Sequence, residues 1–223
     1  MSITRHFSIQ LRRLKEKAKQ EILVHRVQYH NPTLRCDYPT VWRYAYDGLD
    51  AIQLGQNVYV MAFTEILVYK HTHHSSKEGG LIVGDNSVIA TGVNLRAAGG
   101  RIIIGENSGI GEYSVLIAAN HAVHRGGLYL KSRWDEERTD VVLGDNVWIG
   151  AGCYLLPGCE VGDNSVVGAG SVVNKKIPPN EIWAGAPARK IKDVPFRAAD
   201  ESCDGAVNLH DSVEATRAGE LAN

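Results

Sequence analysis

The segment Asn120-His121-Ala122-Val123-His124 concentrates the side chains best suited to moving a proton. A neutral imidazole accepts a proton near pH 7, which is what general-base removal of a proton from an attacking hydroxyl requires. The segment falls where a six-residue repeat breaks for its longest insertion, and loops on rigid scaffolds are where sites collect. By strand parity His121 points outward, one position before the next inward residue, and is poorly placed for core packing. Trp148 is outward by the same parity. Cys153 and Cys159 take inward small-residue positions, where a thiol is a small hydrophobe rather than a nucleophile.

The repeat that positions these residues begins most clearly at Leu143. An aliphatic side chain returns every six residues at Leu143, Ile149, Leu155, Val161, Val167 and Val173, with glycine following four of them. A helix of 3.6 residues per turn would walk such a pattern around its surface. Three short faces closing a triangular prism keep every sixth residue inside. The same register runs upstream through Leu54, Val60 and Ile66, then Val83, Ile89 and Leu95, then Ile104, Ile110 and Leu116. The steps Ile66 to Val83, Leu95 to Ile104 and Leu116 to Leu143 span 17, 9 and 27 positions instead of six, so loops are inserted there. The expected architecture is an all-β, left-handed parallel β-helix with five coils over residues 51–194, interrupted by loops 67–82 and 121–142. A composition low in aromatics (7%) and rich in glycine (23 residues) suits short strands and tight corners.

Residues 1–50 are expected to form an N-terminal helical cap. Seven Lys or Arg in the first thirty residues accompany a helical face of Phe7, Leu11, Leu14, Ala18 and Ile22. Packing on the prism end is the preferred reading, since solenoid ends need covering. A basic amphipathic helix resting on an anionic membrane is the alternative. Residues 195–223 hold six acidic side chains against two arginines and read as a solvated tail. A net charge of −1 argues against a nucleic-acid partner. No apolar run reaches membrane-spanning length and no signal pattern opens the sequence, so a cytoplasmic location is expected.

The strings VGDNSVI, IGENSGI, LGDNVWI and VGDNSVV are hexapeptide-repeat signatures, and with them the chain resembles the hexapeptide acyltransferases. It is similar to galactoside and maltose acetyltransferases and to acetyltransferases of bacterial surface-polysaccharide synthesis, where a His-x-Val-His segment precedes a long loop and an Asn-Val-Trp-Ile-Gly coil. Here those are His121-Ala-Val-His124 and Asn146-Val-Trp-Ile-Gly150. The resemblance implies acetyl-CoA as co-substrate, a sugar acceptor, direct transfer, His121 as catalytic base, and a homotrimer with shared sites. It implies acceptor contacts at Asn94, Asn120 and His124. For CoA it implies Trp148, Ala151, Ala169, Lys175, Arg189 and Lys192. The family often has Pro, Ser and Thr where this chain has Ala122, Ala151 and Asn174.

The residues leave O- and N-acetylation open, as well as the sugar itself; a xenobiotic acceptor is an alternative. A zinc-dependent, carbonic-anhydrase-like prism would need three histidines on one metal with a final pair five apart. His121 and His124 are three apart, and His71, His73 and His74 sit nearly three coils away by chain order, so no metal is expected. A non-catalytic scaffold gives no reason for an outward histidine, a tryptophan and a basic terminus to occur together.

Overall fold

The computed structural model describes residues 3–45 and 48–196, and the tail from 197 onward, including Cys203, lies outside the described residues. One helix, α1 (Ile3–His30), precedes a left-handed parallel β-helix of six triangular turns. The first turn is β1 (Arg35–Cys36), β2 (Val41–Tyr44) and β3 (Ile52–Leu54). The second is β4 (Tyr59–Val60), β5 (Glu65–Tyr69) and β6 (Gly80–Val83), and the third β7 (Val88–Ile89), β8 (Asn94–Ala98) and β9 (Arg101–Ile104). The fourth holds β10 (Gly109–Ile110), β11 (Val115–Ile117) and β12 (Val141–Leu143), and the fifth β13 (Trp148–Ile149), β14 (Tyr154–Leu155) and β15 (Cys159–Val161). The sixth is β16 (Val166–Val167), β17 (Val172–Val173) and β18 (Lys176–Ile177). The chain closes with β19 (Glu181–Ala184) and an antiparallel β20 (Arg189–Asp193).

Successive turns pair in parallel, giving one sheet per side of the prism. The first, middle and last strands of the turns build the first, second and third faces. The register stacks like on like: Trp42, Ile66, Leu95, Leu116, Leu155 and Val173 form one interior column. All six are fully or almost fully buried. Corner serines satisfy the interior polar groups. Ser108 donates to the Gly144 carbonyl at 2.9 Å and accepts from the Val147 amide at 3.0 Å; Ser114 repeats this with Gly150 and Cys153. Such pairing is what allows hydroxyls in the core.

Asparagine marks one corner of every turn. Asn57, Asn86, Asn107, Asn146, Asn164 and Asn180 are left-handed, with φ between 53° and 62°. Asparagine tolerates this region better than most residues with a Cβ. Asn146 Nδ2 also donates to Asn164 Oδ1 at 2.9 Å, tying neighbouring turns.

Three expectations are corrected. The prism starts at Arg35 and not at residue 51, so it has six turns where five were expected. Residues 35–44 lack the glycine signature, and Cys36 and Trp42 fill the stack positions aliphatics hold elsewhere. The buried face of α1 is also different. Leu23 and Val27 join the core, and Gln20 accepts from the Trp42 amide at 2.9 Å, whereas Leu11, Leu14 and Ile22 are exposed. The last turns of α1 therefore do the packing. The inserted loops are 70–79 and 118–140 between their flanking strands, in place of 67–82 and 121–142.

Ile149 is wholly buried in the stack. Ile149→Ala is expected to lower unfolding free energy by about 2–5 kcal/mol in urea titrations, with the β-sheet circular dichroism retained.

Candidate active site

Every insertion leaves the prism at one edge, between the second and third faces. The segment 70–79 follows β5, residues 99–100 follow β8, and 118–140 follow β11. These three strands are adjacent in one sheet, so the two long loops rise from the same edge with only Gly99-Gly100 between them. The loops meet over that gap. The Trp134 amide donates to the His74 carbonyl at 2.8 Å. Glu136 accepts from the Ser76 amide at 2.6 Å, the Ser76 hydroxyl at 2.8 Å and the Ser75 hydroxyl at 3.0 Å. The Ser76 amide, then its hydroxyl, then that of Ser75 hold the Glu136 carboxyl down to about 2.

Trp134 is the wedge in this junction. Its ring stacks on His74 at 5.6 Å between centroids and meets His121 edge-on at 6.0 Å. His74 and His121 are themselves 6.0 Å apart by centroids. The distance inferred for His74 from chain order is thus corrected: a shared exit edge brings it to His121. Gly99, at φ +65°, makes the space, since a Cβ there would overlap Cε3 of Trp134.

His121 is half-buried, and its Nδ1 lies 3.3 Å from the Ser132 carbonyl. A carbonyl can only accept, so Nδ1 carries the proton in the neutral ring and Nε2 keeps its lone pair. The ring borders a cleft of about 380 Å³ on the outer face of the second sheet, with Leu67, Arg96, Ile117, Asn120 and Trp134 among its other lining residues. Asn120 thus joins His121. Asn94 and His124 are not brought to this cleft. Asn94 lies earlier on β8, donating to Glu65 at 3.1 Å, with its Oδ1 buried and unpartnered; His124 is exposed farther along the loop.

The residues expected to hold a coenzyme divide between two regions. Trp148 stands 63% exposed on the first face, and Ala151 and Ala169 are exposed at the corner leading to the second. Arg189 and Lys192 lie on β20, which extends the first face. Lys175 is at the other corner, the one shared with the His121 loop, 5.5 Å over the Trp183 ring. Arg138 of that loop donates to the Asn174 carbonyl at 2.6 Å. Among the described residues Lys175, Arg189 and Lys192 have no carboxylate partner, whereas Lys190 is held by Glu181 and Asp193.

The two thiols inside the prism, those of Cys153 and Cys159, are no competitors for the chemistry. Cys153 and Cys159 are fully buried, and burial pushes both up, Cys159 to about 12. Among the described residues no three His, Cys, Asp or Glu gather where they could hold a metal ion. No described helix is long and apolar enough to cross a membrane.

With this geometry in place, the chain was compared with known proteins. The family model "Bacterial transferase hexapeptide (six repeats)" matches residues 140–175. The chain carries the hexapeptide repeat of bacterial transferases. Over 93 residues it is 40% identical to the galactoside O-acetyltransferase of Escherichia coli, covering 42% of this chain and 44% of that one. Over 113 residues it is 32% identical to the putative colanic acid biosynthesis acetyltransferase WcaF of the same organism, covering 51% and 58%. The chain thus spans about half the length of the curated relatives it matches. Among solved structures, AntD, an N-acyltransferase from Bacillus cereus, aligns with a TM-score of 0.62 over 82% of this chain and 88% of that one, at 20% identity. That likeness concerns the fold.

Two measurements probe the junction. Gly99→Ala should displace Trp134 and cost about 1–3 kcal/mol of stability, visible as a red-shifted tryptophan emission and an earlier unfolding midpoint. Glu136 is held below the ordinary carboxylate value, so its contribution is complete above about pH 4.5 and is lost as pH falls toward about 2. Hydrogen exchange should therefore show the Ser76 amide protected at pH 6 and opening at pH 2–3 before the strands do; Glu136→Ala should remove that protection at every pH.

Proposed function

We propose that this protein transfers the acetyl group of acetyl-CoA to a hydroxyl of a sugar, in the biosynthesis of a surface polysaccharide, with His121 as general base. The observation that carries the reading is the contact of His121 Nδ1 with the Ser132 carbonyl, which assigns the proton to Nδ1 and leaves Nε2 as the acceptor beside a cleft large enough for a sugar ring. The galactoside O-acetyltransferase among the relatives supports the reaction class, and the putative colanic acid biosynthesis acetyltransferase supports the polysaccharide context.

Acetyl-CoA, when bound, supplies the thioester carbonyl that the acceptor attacks. The coenzyme end fits this chain. Lys175, Arg189 and Lys192 are cations without carboxylate partners, as phosphates require, and the small side chains of Ala151 and Ala169 leave corner backbone open to an extended arm. His121 Nε2 removes the acceptor proton as its oxygen bonds to the carbonyl carbon. The carbon–sulfur bond then breaks, and the proton held on the imidazole passes to the departing sulfur. Trp134 and the Ser132 carbonyl fix the plane of the ring throughout.

The active unit in this reading is a homotrimer. Trp148, Ala151 and Ala169 lie on and beside the first face, and His121 rises from the opposite end of the second. One chain does not bring both to one acetyl group; a neighbour's prism laid alongside does, and cyclic closure gives all three chains the same contacts.

His121→Ala should lower kcat by ~10²–10⁴ and leave CoA affinity near its original value in calorimetry; transfer within tenfold of wild type would remove His121 from the role. The shared site has its own test. His121→Ala and Ala169→Glu, each inactive alone, are co-expressed in equal amounts. A ring in which one chain's histidine serves the next chain's coenzyme corner should regain about a quarter of the activity. Mixed trimers as inactive as the parents would show that each site is built within one chain.

A further inference from the structure

We propose that the acceptor carries an anionic group, a phosphate or a carboxylate, which Arg96 binds while an acceptor hydroxyl lies at His121. The inference rests on the acceptor reading of the His121 cleft and names the class of sugar that cleft takes.

The cleft is built along the outer rows of the second sheet. Leu67, Arg96 and Ile117 are register partners on adjacent strands, and all three line it. Two steps farther along β8 comes Ala98, and along the β11 segment Ala119 and then His121. The floor is thus aliphatic and small, with Trp134 as a wall. Arg96 stands at one end and His121 at the other. Four positions separate Ile117 from His121, at most about 13 Å of backbone. Arg96 and His121 border the one cleft, whose size suits one sugar ring with a charged substituent.

Charge decides what the arginine is for. Among the described residues Arg96 is the one permanently charged residue lining the cleft, and no carboxylate lines it. Among the described residues Arg96 has no ion-pair partner. Glu65 lies on the same face, one diagonal step away, but it is held by Arg43 at 2.9 Å and by Asn94 Nδ2 at 3.1 Å. The cleft thus pairs an aliphatic floor with a permanent cation and the polar groups of Asn120 and His121. Facing a ligand anion the guanidinium offers a planar fork of donors matched to two oxygens, a stronger contact than a neutral hydroxyl provides. Arg96 itself is exposed at the outer face of β8, where its head group is free to meet a ligand.

The experiment uses the full chain and four probes: inorganic phosphate, galactose 1-phosphate, galacturonic acid and methyl galactoside. Calorimetry measures each against wild type, Arg96→Gln and Arg96→Lys, and acetyl transfer from acetyl-CoA is assayed with the three sugars. Wild type should bind at least one charged sugar about ten- to a hundredfold more tightly than methyl galactoside, and phosphate should compete with it. Arg96→Gln should bring the charged sugar to the neutral one's level, and Arg96→Lys should keep much of the preference. The two charged sugars distinguish phosphate from carboxylate. Equal binding of charged and neutral sugars, or a preference that survives Arg96→Gln, would overturn the proposal even if methyl galactoside is acetylated. Arg96-dependent binding of a charged sugar with no acetyl transfer to any of the three would leave the anion site standing and remove the acetyltransferase reading.

Discussion

The structure depends on one constraint: each turn of the prism must return its inward side chain to the same column as the turn before. The columns are continuous from Trp42 to Val173 on one face and from Cys36 to Trp183 on another. A shift of one residue would turn every inward side chain out to solvent. Extra residues can therefore enter only at a corner, as loops that give the chain back in register. The hydroxyls of Ser87, Ser108, Ser114 and Ser165 serve the same constraint by bonding across turns where the ladder itself leaves polar groups inside.

That constraint builds the site. All insertions use one corner, and strands β5, β8 and β11 carry their loops off side by side. The short middle insertion at Gly99-Gly100 leaves the gap that Trp134 fills, and Glu136 ties the outer loop to the inner one. Residues separated by some sixty positions, such as Ser76 and Glu136, become partners because their parent strands are two apart in one sheet. His121 gains a fixed ring plane from this packing, on a scaffold whose rigidity comes from the columns below it.

Much of this was legible in the residues. The period of six is incompatible with a helix and demands a prism, and the places where it breaks mark the loops. His121 and Trp148 declare themselves as outward by parity alone. The first turn was hidden because Cys36 and Trp42 fill column positions without the Gly-Asp-Asn signature. The helix face was misplaced because α1 packs only through its last turns, so apolar spacing near its start, as at Leu11 and Leu14, has no partner. Trp134, Glu136 and Arg96 escaped notice, and His74 was set far from His121, for a different reason. Their roles come from contacts between loops, which no local pattern encodes. One signal was nonetheless available: each gap follows the third aliphatic of its coil, at Ile66, Leu95 and Leu116. Loops that always leave in the same phase leave at the same edge, and His74 and His121 had to be neighbours.

The central claim is that His121 presents an unprotonated Nε2 to the cleft because Ser132 engages Nδ1. A proton–nitrogen NMR correlation of the imidazole rings reads this directly, with the His121 signals assigned by comparison with His121→Ala and followed upward in pH until they stop moving. The neutral ring should show its proton on Nδ1 and a free lone pair on Nε2. A neutral His121 with the proton on Nε2 would leave the cleft without its base and would contradict the account.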